Sequence, residues 1–301
     1  MNSIIVCNTA SDSLSIISLD GEGFVDTIPL NLVEGPYGPH GVNVYENKII
    51  TANNYGNSIS IVDILKKKEV ENYFIGSCPN DIKTYNDRGY ILCGDSNTVV
   101  VFDMKEKKNI FQLKTGNHPH SIDIDSDGIG YISCLDGDSL IVFKCDDGEI
   151  IKEIKKLSYP IKVVASKYSK DIFVLESYLG EDKDGYINII SKESLYSNIR
   201  IKVGKGPVDM WEDKNYLYIS NFIDSSISIV DLKSGKEAKK IYLEGIPRGI
   251  IKFKNSIYVG DYINGRVIKI NLLDKETKII AVGKEPNAMI LHHHFQKIES
   301  L

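Results

Sequence analysis

The chain has 301 residues, of which 42% are hydrophobic and 26% charged, and its formal net charge is −5 at pH 7. This composition excludes a disordered chain, a collagen-like chain and a small disulfide scaffold, because it supplies ample apolar material for a core. No stretch approaches about 18 uninterrupted apolar residues, so the sequence predicts no membrane span. Length alone suggests about two domains of roughly 150 residues, but the spacing of the prolines contradicts that estimate.

Seven of the nine prolines form a repeat. They follow one another at intervals of 40, 40, 41, 47, 40 and 39 residues and are Pro39, Pro79, Pro119, Pro160, Pro207, Pro247 and Pro286. Strand-like hexapeptides follow in step, beginning at Ser13, Ser58, Thr98, Ser139, Tyr186, Ser226 and Arg266. The first complete unit carries four such runs, HGVNVY, IITAN, SISIVD and VENYFI. Apolar alternation with period two, bounded by turn residues, is typical of short strands. Four strands in about 40 residues are typical of a propeller blade.

The two ends of the chain predict how the ring closes. The hexapeptide at Ser13 has no proline-led strand before it, whereas Pro286 begins an inner strand (PNAMIL) just before the chain ends. The units are complete only if this C-terminal strand joins the blade that begins near Ile4, and this pairing leaves no open sheet edge. The sequence therefore predicts one all-β domain over residues 1–301, a seven-bladed β-propeller with four antiparallel strands per blade.

Several repeats resemble the YVTN family of bacterial β-propellers. The resemblance is carried by residues 49–63 (IITANNYGNSISIVD), 218–236 (YISNFIDSSISIVDLKSGK) and 257–271 (IYVGDYINGRVIKIN), and it extends over essentially the whole chain. It implies the propeller fold. It implies no particular activity, because related propellers serve as binding platforms, enzyme domains and scaffolds. No catalytic set carries over, since the matching positions form strands.

Antiparallel blades sort the loops onto two faces. We call the side on which the seven prolines begin the inner strands the proline face; it also collects the turns between second and third strands. This face is predicted to be acidic, amide-rich and aromatic, and the opposite face to be lysine-rich with fewer acids. Polar groups from seven blades converge at the central mouth of the proline face, which is the predicted ligand site. Its candidate residues are His40, Asn54, Asn80, Asp81, Asp95, His120, Asp136, Glu176, Tyr178, Asp209, Asn221, Arg248, Asp261 and Asn287.

An acidic mouth favours a binding function. A negative potential attracts cations, so the sequence predicts a cationic small molecule, peptide or protein as partner. Nucleic acid is not expected, because a basic stripe with stacking aromatics is lacking. The sequence contains no Walker loop, no G-x-S-x-G elbow and no H-E-x-x-H motif, so nucleotide binding and serine-hydrolase chemistry have no support.

The alternative is a metal-assisted hydrolase or lyase, of the kind found among propeller lactonases and antibiotic-ring lyases. His40 and His120 occupy the same repeat position two blades apart, and Asp81 lies in the blade between them. Imidazole and carboxylate groups suit a divalent metal ion or a histidine general base. A divalent metal held by His40, His120 and Asp81 is thus the one cofactor that the pattern allows, with Glu176 and Asp209 as further axial candidates. The competing interpretation is that a polar residue after each proline makes hydrogen bonds between blades.

Two irregular segments leave further alternatives open. The 47-residue interval marks an insertion at residues 177–185 (SYLGEDKDG), on the proline face, which is either a partial lid or a tolerated loop. His292, His293 and His294 follow the last inner strand, where they form the far end of the channel, a tail or a metal-binding pair.

The cysteines and the N-terminus predict a cytoplasmic protein, which we also expect to be a monomer. Five cysteines are an odd number for a secreted disulfide framework, and no C-x-x-C pair occurs. Cys7, Cys93 and Cys134 align with Ala52 and are expected to be small buried residues rather than redox or metal groups. The chain enters a strand at once, without the charged start and apolar segment of an export signal.

Overall fold

The computed structural model describes residues 2–20 and 24–293. These residues form seven antiparallel four-stranded sheets, which are the blades of the predicted seven-bladed β-propeller. A single 3-10 turn (Thr9–Ser11) is the only helical element within those two ranges. No helix in this part of the chain is long and apolar enough to cross a membrane.

Each blade consists of strands that are consecutive along the chain, with one exception. Blade 1 contains β1 (Asn2–Asn8), β2 (Ser13–Ser18) and β3 (Val25–Pro29). Blade 2 contains β4 (Pro39–Tyr45), β5 (Lys48–Asn53), β6 (Ser58–Asp63) and β7 (Lys68–Phe74). Blade 3 contains β8 (Pro79–Tyr85), β9 (Arg88–Cys93), β10 (Thr98–Asp103) and β11 (Lys108–Lys114). Blade 4 contains β12 (Pro119–Ile124), β13 (Ile129–Cys134), β14 (Ser139–Lys144) and β15 (Ile150–Lys155).

The remaining blades follow the same plan. Blade 5 contains β16 (Pro160–Ala165), β17 (Asp171–Glu176), β18 (Asp184–Ser191) and β19 (Ser197–Lys205). Blade 6 contains β20 (Pro207–Asp213), β21 (Tyr216–Asn221), β22 (Ser226–Asp231) and β23 (Lys236–Tyr242). Blade 7 contains β24 (Pro247–Phe253), β25 (Ser256–Asp261), β26 (Arg266–Asn271) and β27 (Thr277–Ala281). The last strand, β28 (Pro286–His293), returns to blade 1 as its inner strand.

The pairing of β28 with β1 closes the ring as predicted. The two strands are antiparallel, with Ile5 opposite Ile290 and Asn2 opposite His293. His292 and His293 therefore end the inner strand of blade 1, whereas His294 lies outside the described residues.

Every inner strand begins at one of the seven prolines, and its register with the second strand shifts next to that proline. Proline suits the first residue of a strand, because it has no N–H to donate to the ladder. A β-bulge re-aims the side chains beside it. Here it turns the residues that follow the prolines toward the central axis, and this placement builds the candidate site.

The apolar residues of the blades form seven buried clusters, one between each pair of neighbouring blades. Successive residues of one strand contribute to opposite clusters: Ile4 packs against blade 7 and Ile5 against blade 2. Both faces of each sheet are thus covered. This explains why two third-strand hexapeptides, TVVVFD and SLIVFK, are nearly continuous apolar runs instead of simple alternations.

The register corrects the alignment of the cysteines. Cys93 and Cys134 pair with Pro79 and Pro119, which is the position of Asn53 opposite Pro39, and only Cys7 is equivalent to Ala52. The predicted burial is confirmed for all three. Burial raises the pKa of Cys93 to about 12 and that of Cys134 to about 11, so both are protonated thiols at neutral pH.

The prediction of a lysine-rich opposite face with fewer acids overlooks the carboxylates of that face. Its lysines lie beside carboxylates: the Nζ of Lys67 is 2.7 Å from a carboxylate oxygen of Asp26, and that of Lys105 is 2.6 Å from Asp87. Some carboxylates of this face belong to the aspartates that end the third strands. Asp63, for example, accepts hydrogen bonds from the backbone amides of its own turn. This face is a solvated surface of mixed charge, on which exposed ion pairs contribute at most about 1 kcal/mol each.

Candidate functional site

The side chains that follow the prolines surround a cavity of about 90 Å³ at the proline-face end of the channel, which we call the axial chamber. Seven of the predicted site residues line it together: His40, Asn80, Asp81, His120, Asp209, Arg248 and Asn287. Lys162 also lines it and was absent from the predicted ligands, although it occupies the repeat position of Asp81 and Asp209. Position in the repeat was the signal that could have identified it.

The two histidines of the chamber are neutral and share one orientation. The Nδ1 of His40 lies 2.7 Å from the carbonyl oxygen of Asn80, and the Nδ1 of His120 lies 2.8 Å from that of Ile161. A carbonyl only accepts, so each Nδ1 carries the proton and each Nε2 is an acceptor. Burial and the Arg248 guanidinium lower the pKa of His40 to about 4, and burial and His40 lower that of His120 to about 3. The predicted hydrogen bonding between blades is therefore one role of both residues.

Arg248 extends across the chamber. Its Nε donates to the Oδ1 of Asn287 at 2.5 Å, and its Nη2 lies 3.4 Å from the Nε2 of His40. The guanidinium also lies 5.0 Å from the ring centre of Tyr262. These contacts from three blades hold the charged group in one place.

Two aspartates connect neighbouring inner strands. Asp81 accepts from the amide of Ile122, and Asp209 accepts from the amide of Ile250, at 3.2 and 3.1 Å. Asp209 also lies 3.2 Å from the Nζ of Lys162. Burial raises the pKa of Asp81, whereas the carboxylates of Asp209 and Asp81 outweigh burial and raise that of Lys162. Lys162 is thus charged and paired.

The structure does not assemble the predicted metal set. In residues 2–20 and 24–293, no group of three or more His, Cys, Asp or Glu side chains is placed to hold a metal ion. His40 and His120 lie with ring centres 6.0 Å apart, but Asp81 directs its oxygens to the backbone of blades 3 and 4. The carboxylate that the spacing offered as a ligand is used to join blades.

The other predicted residues lie around the chamber instead of lining it. Asn54 is the nearest, because its amide donates to the Oδ1 of Asn80 at 2.6 Å. Asp95 is exposed, and Asp136 is exposed 3.2 Å from the Nδ1 of His118. These groups form a rim on the proline face.

Four further predicted residues support loops or strands. The buried Glu176 pairs with Arg200 at 2.7 Å, and Arg200 also donates to the hydroxyl of Tyr178. The buried Asp261 pairs with Arg266 at 2.7 Å. Asn221 is fully buried and donates to Ser226 and Ser228, as Asn8 and Asn53 do to the equivalent serines. Paired and buried acids supply little free negative charge.

The predicted negative charge of the mouth is therefore not found on the axis. Two cationic groups, Lys162 and Arg248, line the chamber beside two carboxyl groups, Asp81 and Asp209. Other acids of this face serve as caps: Asp12 accepts from the amides of Tyr37 and Gly38. The number of acidic residues in the sequence therefore overestimates the negative charge that a ligand would meet.

Comparisons with known proteins support the fold alone. No protein-family model and no curated protein matches the sequence, so the resemblance to the YVTN family is not confirmed. A functionally unknown protein from Desulfotomaculum acetoxidans is similar, with a TM-score of 0.81 and 13% identity over 97% of this chain and 99% of that one. Hydrazine synthase from Kuenenia stuttgartiensis matches with a TM-score of 0.76 and 16% identity over 86% and 91%. A catalytically inactive virginiamycin B lyase from Staphylococcus aureus with quinupristin matches with a TM-score of 0.72 and 18% identity over 86% and 90%.

A second cavity of about 300 Å³ occupies the other end of the channel, and we call it the lower cavity. It is lined by Trp211, Tyr168 and Met210, among others, and it shares Asp81, Lys162 and Asp209 with the axial chamber. The Lys162–Asp209 pair thus lies at the level where the two cavities meet. Sequence reasoning missed this cavity, although the only tryptophan of the chain lies in an inner strand.

The chamber histidines predict a loss of stability on mild acidification. An unfolded histidine has a pKa near 6.5, whereas His40 and His120 titrate at about 4 and about 3 in the fold. As pH falls from about 6.5 toward 4, the unfolded chain binds protons that the folded chain does not. Stability therefore decreases, by at most about 1.4 kcal/mol per pH unit for each histidine. Urea unfolding between pH 7 and 4.5 measures this slope.

The matched control is the double variant His40→Gln with His120→Gln, whose amides retain a donor for the carbonyls. Its stability is expected to fall less steeply with acidification than that of the parent. The raised pKa of Asp81 acts in the opposite sense in both proteins, so the difference between them isolates the histidines. Equal slopes would contradict the assignment of neutral histidines.

Proposed function

We propose that the protein is a binding propeller that receives the polar head group of a ligand in the axial chamber. One observation carries this proposal: bulged inner strands direct polar side chains from all seven blades into one chamber. Side chains on strands that are fixed by neighbouring blades form a preorganised site, which reduces the entropic cost of binding.

The size of the chamber limits what enters it. Its volume of about 90 Å³ is well below the 300–1,000 Å³ of typical ligand pockets, so only a small group fits inside. The remainder of the ligand lies on the rim. There the rings of Phe222 and Tyr262 are 6.0 Å apart, and Ile223 and Ile263 are 40% and 66% exposed. Apolar side chains on the blade 6 and blade 7 side of the rim, above a polar chamber, suit a ligand with one charged or polar end.

The binding can be observed with methionine methyl groups. The chain has four methionines; Met289 lines both cavities, Met210 lines only the lower cavity and Met104 is buried between blades 2 and 3. With ¹³C-methyl methionine, a panel of amino acids, small carboxylates, alkylammonium ions and dipeptides is titrated at millimolar concentration. We expect at least one saturable shift of Met289 while Met210 and Met104 stay unchanged, because a ligand in the lower cavity would also shift Met210.

The control variant is Ala288→Leu, which adds volume at the chamber wall. An unchanged Met104 resonance confirms that this variant folds, and the shift of Met289 should disappear. A panel that never moves Met289, or a shift that survives in Ala288→Leu, overturns the proposal.

The charges that line the axial chamber favour the predicted cationic ligand less than the charges of the rim do. Inside the chamber Lys162 and Arg248 balance the carboxyl groups, so a cation gains little there. The exposed Asp95 and Asp136 leave a cationic peptide or protein segment as a proposal for the outer rim alone.

The alternative of a metal-assisted hydrolase or lyase rests on His40 and His120, whose rings meet in the chamber, and on the likeness in fold to virginiamycin B lyase. Their low pKa values make both weak bases at neutral pH, where a general base works best with a pKa near the working pH. Incubation with quinupristin, with and without Mg²⁺, tests this alternative by chromatography. Conversion that is lost in His120→Asn would favour the enzyme over the binding protein.

A further inference from the structure

Arg248 differs from the other arginines of the proline face. Arg200 lies 2.7 Å from Glu176, and Arg266 lies 2.7 Å from Asp261. Arg248 makes no ion pair with a carboxylate anywhere in residues 2–20 and 24–293; its polar contacts are the neutral Asn287 and His40. It is therefore a partly buried cation that hydrogen bonds hold in place without an ion pair.

Such a charge is unfavourable unless something compensates it. Removing a cation from water costs free energy that hydrogen bonds to neutral groups repay only in part. The nearby carboxylates of Asp209 and Glu285 compensate it only in part, because neither forms an ion pair with Arg248 and Asp209 is paired with Lys162. Burial accordingly lowers the pKa of Arg248.

The contacts of Arg248 also determine how an anion would approach. Asn287 accepts from Nε, which blocks the side-on pair of donors, and His40 accepts from Nη2 at 3.4 Å. Nη1 and the second hydrogen of Nη2 remain for an anion that approaches end-on. Two guanidinium donors in a fork match the two oxygens of a carboxylate.

We infer that the axial chamber binds a carboxylate group, which the guanidinium of Arg248 receives end-on. The inference rests on the proposed binding function and names the class of head group. A carboxylate suits the chamber better than a phosphate, because the chamber is small and Asp81 and Asp209 in its wall repel a dianion. The neutral Nε2 of His120 accepts a hydrogen bond from a hydroxyl or amine next to the carboxylate.

Three small probes of similar size test the charge preference. Acetate, acetamide and methylammonium are titrated separately while the Met289 methyl resonance is followed. We expect acetate to give a saturable shift and acetamide to bind with at least tenfold lower affinity. The reason is that a charge-assisted hydrogen bond is about twice as strong as a neutral one. Glycolate should bind more tightly than acetate.

Two variants separate Arg248 from general electrostatics. Arg248→Met should weaken acetate binding about tenfold or more. Lys167→Met removes one positive charge at the lower cavity and should leave it unchanged. Both variants must retain the Met104 resonance of the folded protein. Acetamide or methylammonium binding as tightly as acetate, or full acetate affinity in Arg248→Met, overturns the inference but leaves the proposed function intact. A Met289 resonance that responds to no probe and to no member of the wider panel rejects both.

Discussion

A chain that ends at Glu285 is expected to lose cooperative folding. It lacks β28, which is the inner strand of blade 1 and pairs with β1 along the whole of that strand. Ala288, Met289, Ile290 and Leu291 also pack into the two clusters that join blade 1 to blades 2 and 7. Their loss opens the ring, exposes the edge of β1 and uncovers apolar surface, at a cost comparable to the 5–15 kcal/mol that stabilise a typical protein. Circular dichroism during urea titration measures the loss.

A circular permutant is the matched control for this truncation. It begins at Pro286, continues to His293, connects through Asn-Gly to Asn2 and ends at Glu285. Asn2 and His293 are partners in the register, so a two-residue hairpin turn can join them. The permutant contains every strand pair in a different chain order and should unfold cooperatively near the parent's midpoint. A truncated chain as stable as the permutant would show that strand closure does not stabilise the ring.

The architecture could be predicted because it depends on patterns that repeat. The seven prolines begin the seven inner strands, and the hexapeptides from Ser13 to Arg266 form the third strands. Only β18 begins elsewhere than predicted, two residues before Tyr186. Closure followed from the unmatched strands at the two ends of the chain. Each of these signals is local and has one physical meaning, namely a strand start, a buried strand or an unpaired edge.

The chemistry of the chamber could be predicted only in part. Residue positions after the prolines identified seven of the lining side chains, but their partners depend on contacts between blades. Asp81 and Asp209 are acids by sequence, yet each accepts a hydrogen bond from a backbone amide of the next inner strand. Glu176 and Asp261 are acids by sequence, yet each is neutralised by an arginine. Whether a charge is available to a ligand is thus a property of the packing.

The bulge at each inner-strand proline contributes both to the stability of the ring and to the candidate site. The bulge at each proline brings the next two residues to the axis, where one side chain bonds to the neighbouring blade and leaves another atom for the chamber. His40 shows this division, because Nδ1 bonds to blade 3 and Nε2 meets Arg248. The axis therefore tolerates little change in backbone spacing.

Gly249→Ala is expected to destabilise the protein strongly for that reason. Gly249 follows Arg248 in the bulge of β24, and an added Cβ would lie 2.2 Å from the carbonyl oxygen of Asn287 in β28. This neighbour is backbone of the closing strand, so β24 and β28 must separate. Overpacking costs about 1–3 kcal/mol where side chains can move, and we expect the upper end or more here, a decrease in Tm of roughly 5–10 °C. The bond from Arg248 to Asn287 should be lost with it.

Gly89→Ala is the matched control, since it adds the same methyl group within a strand. Its Cβ would lie 3.3 Å from the sulfur of Met104, a flexible side chain that can move away. We expect a change of less than about 1 kcal/mol, because the loss of glycine's freedom in the unfolded chain partly offsets the contact. Acetate titration of both variants then connects the fold to the site. Gly249→Ala should bind acetate more weakly even at temperatures where it is folded, because its Arg248 is no longer held by Asn287. If Gly249→Ala matches Gly89→Ala in both stability and acetate affinity, the close approach of the inner strands does not position the arginine.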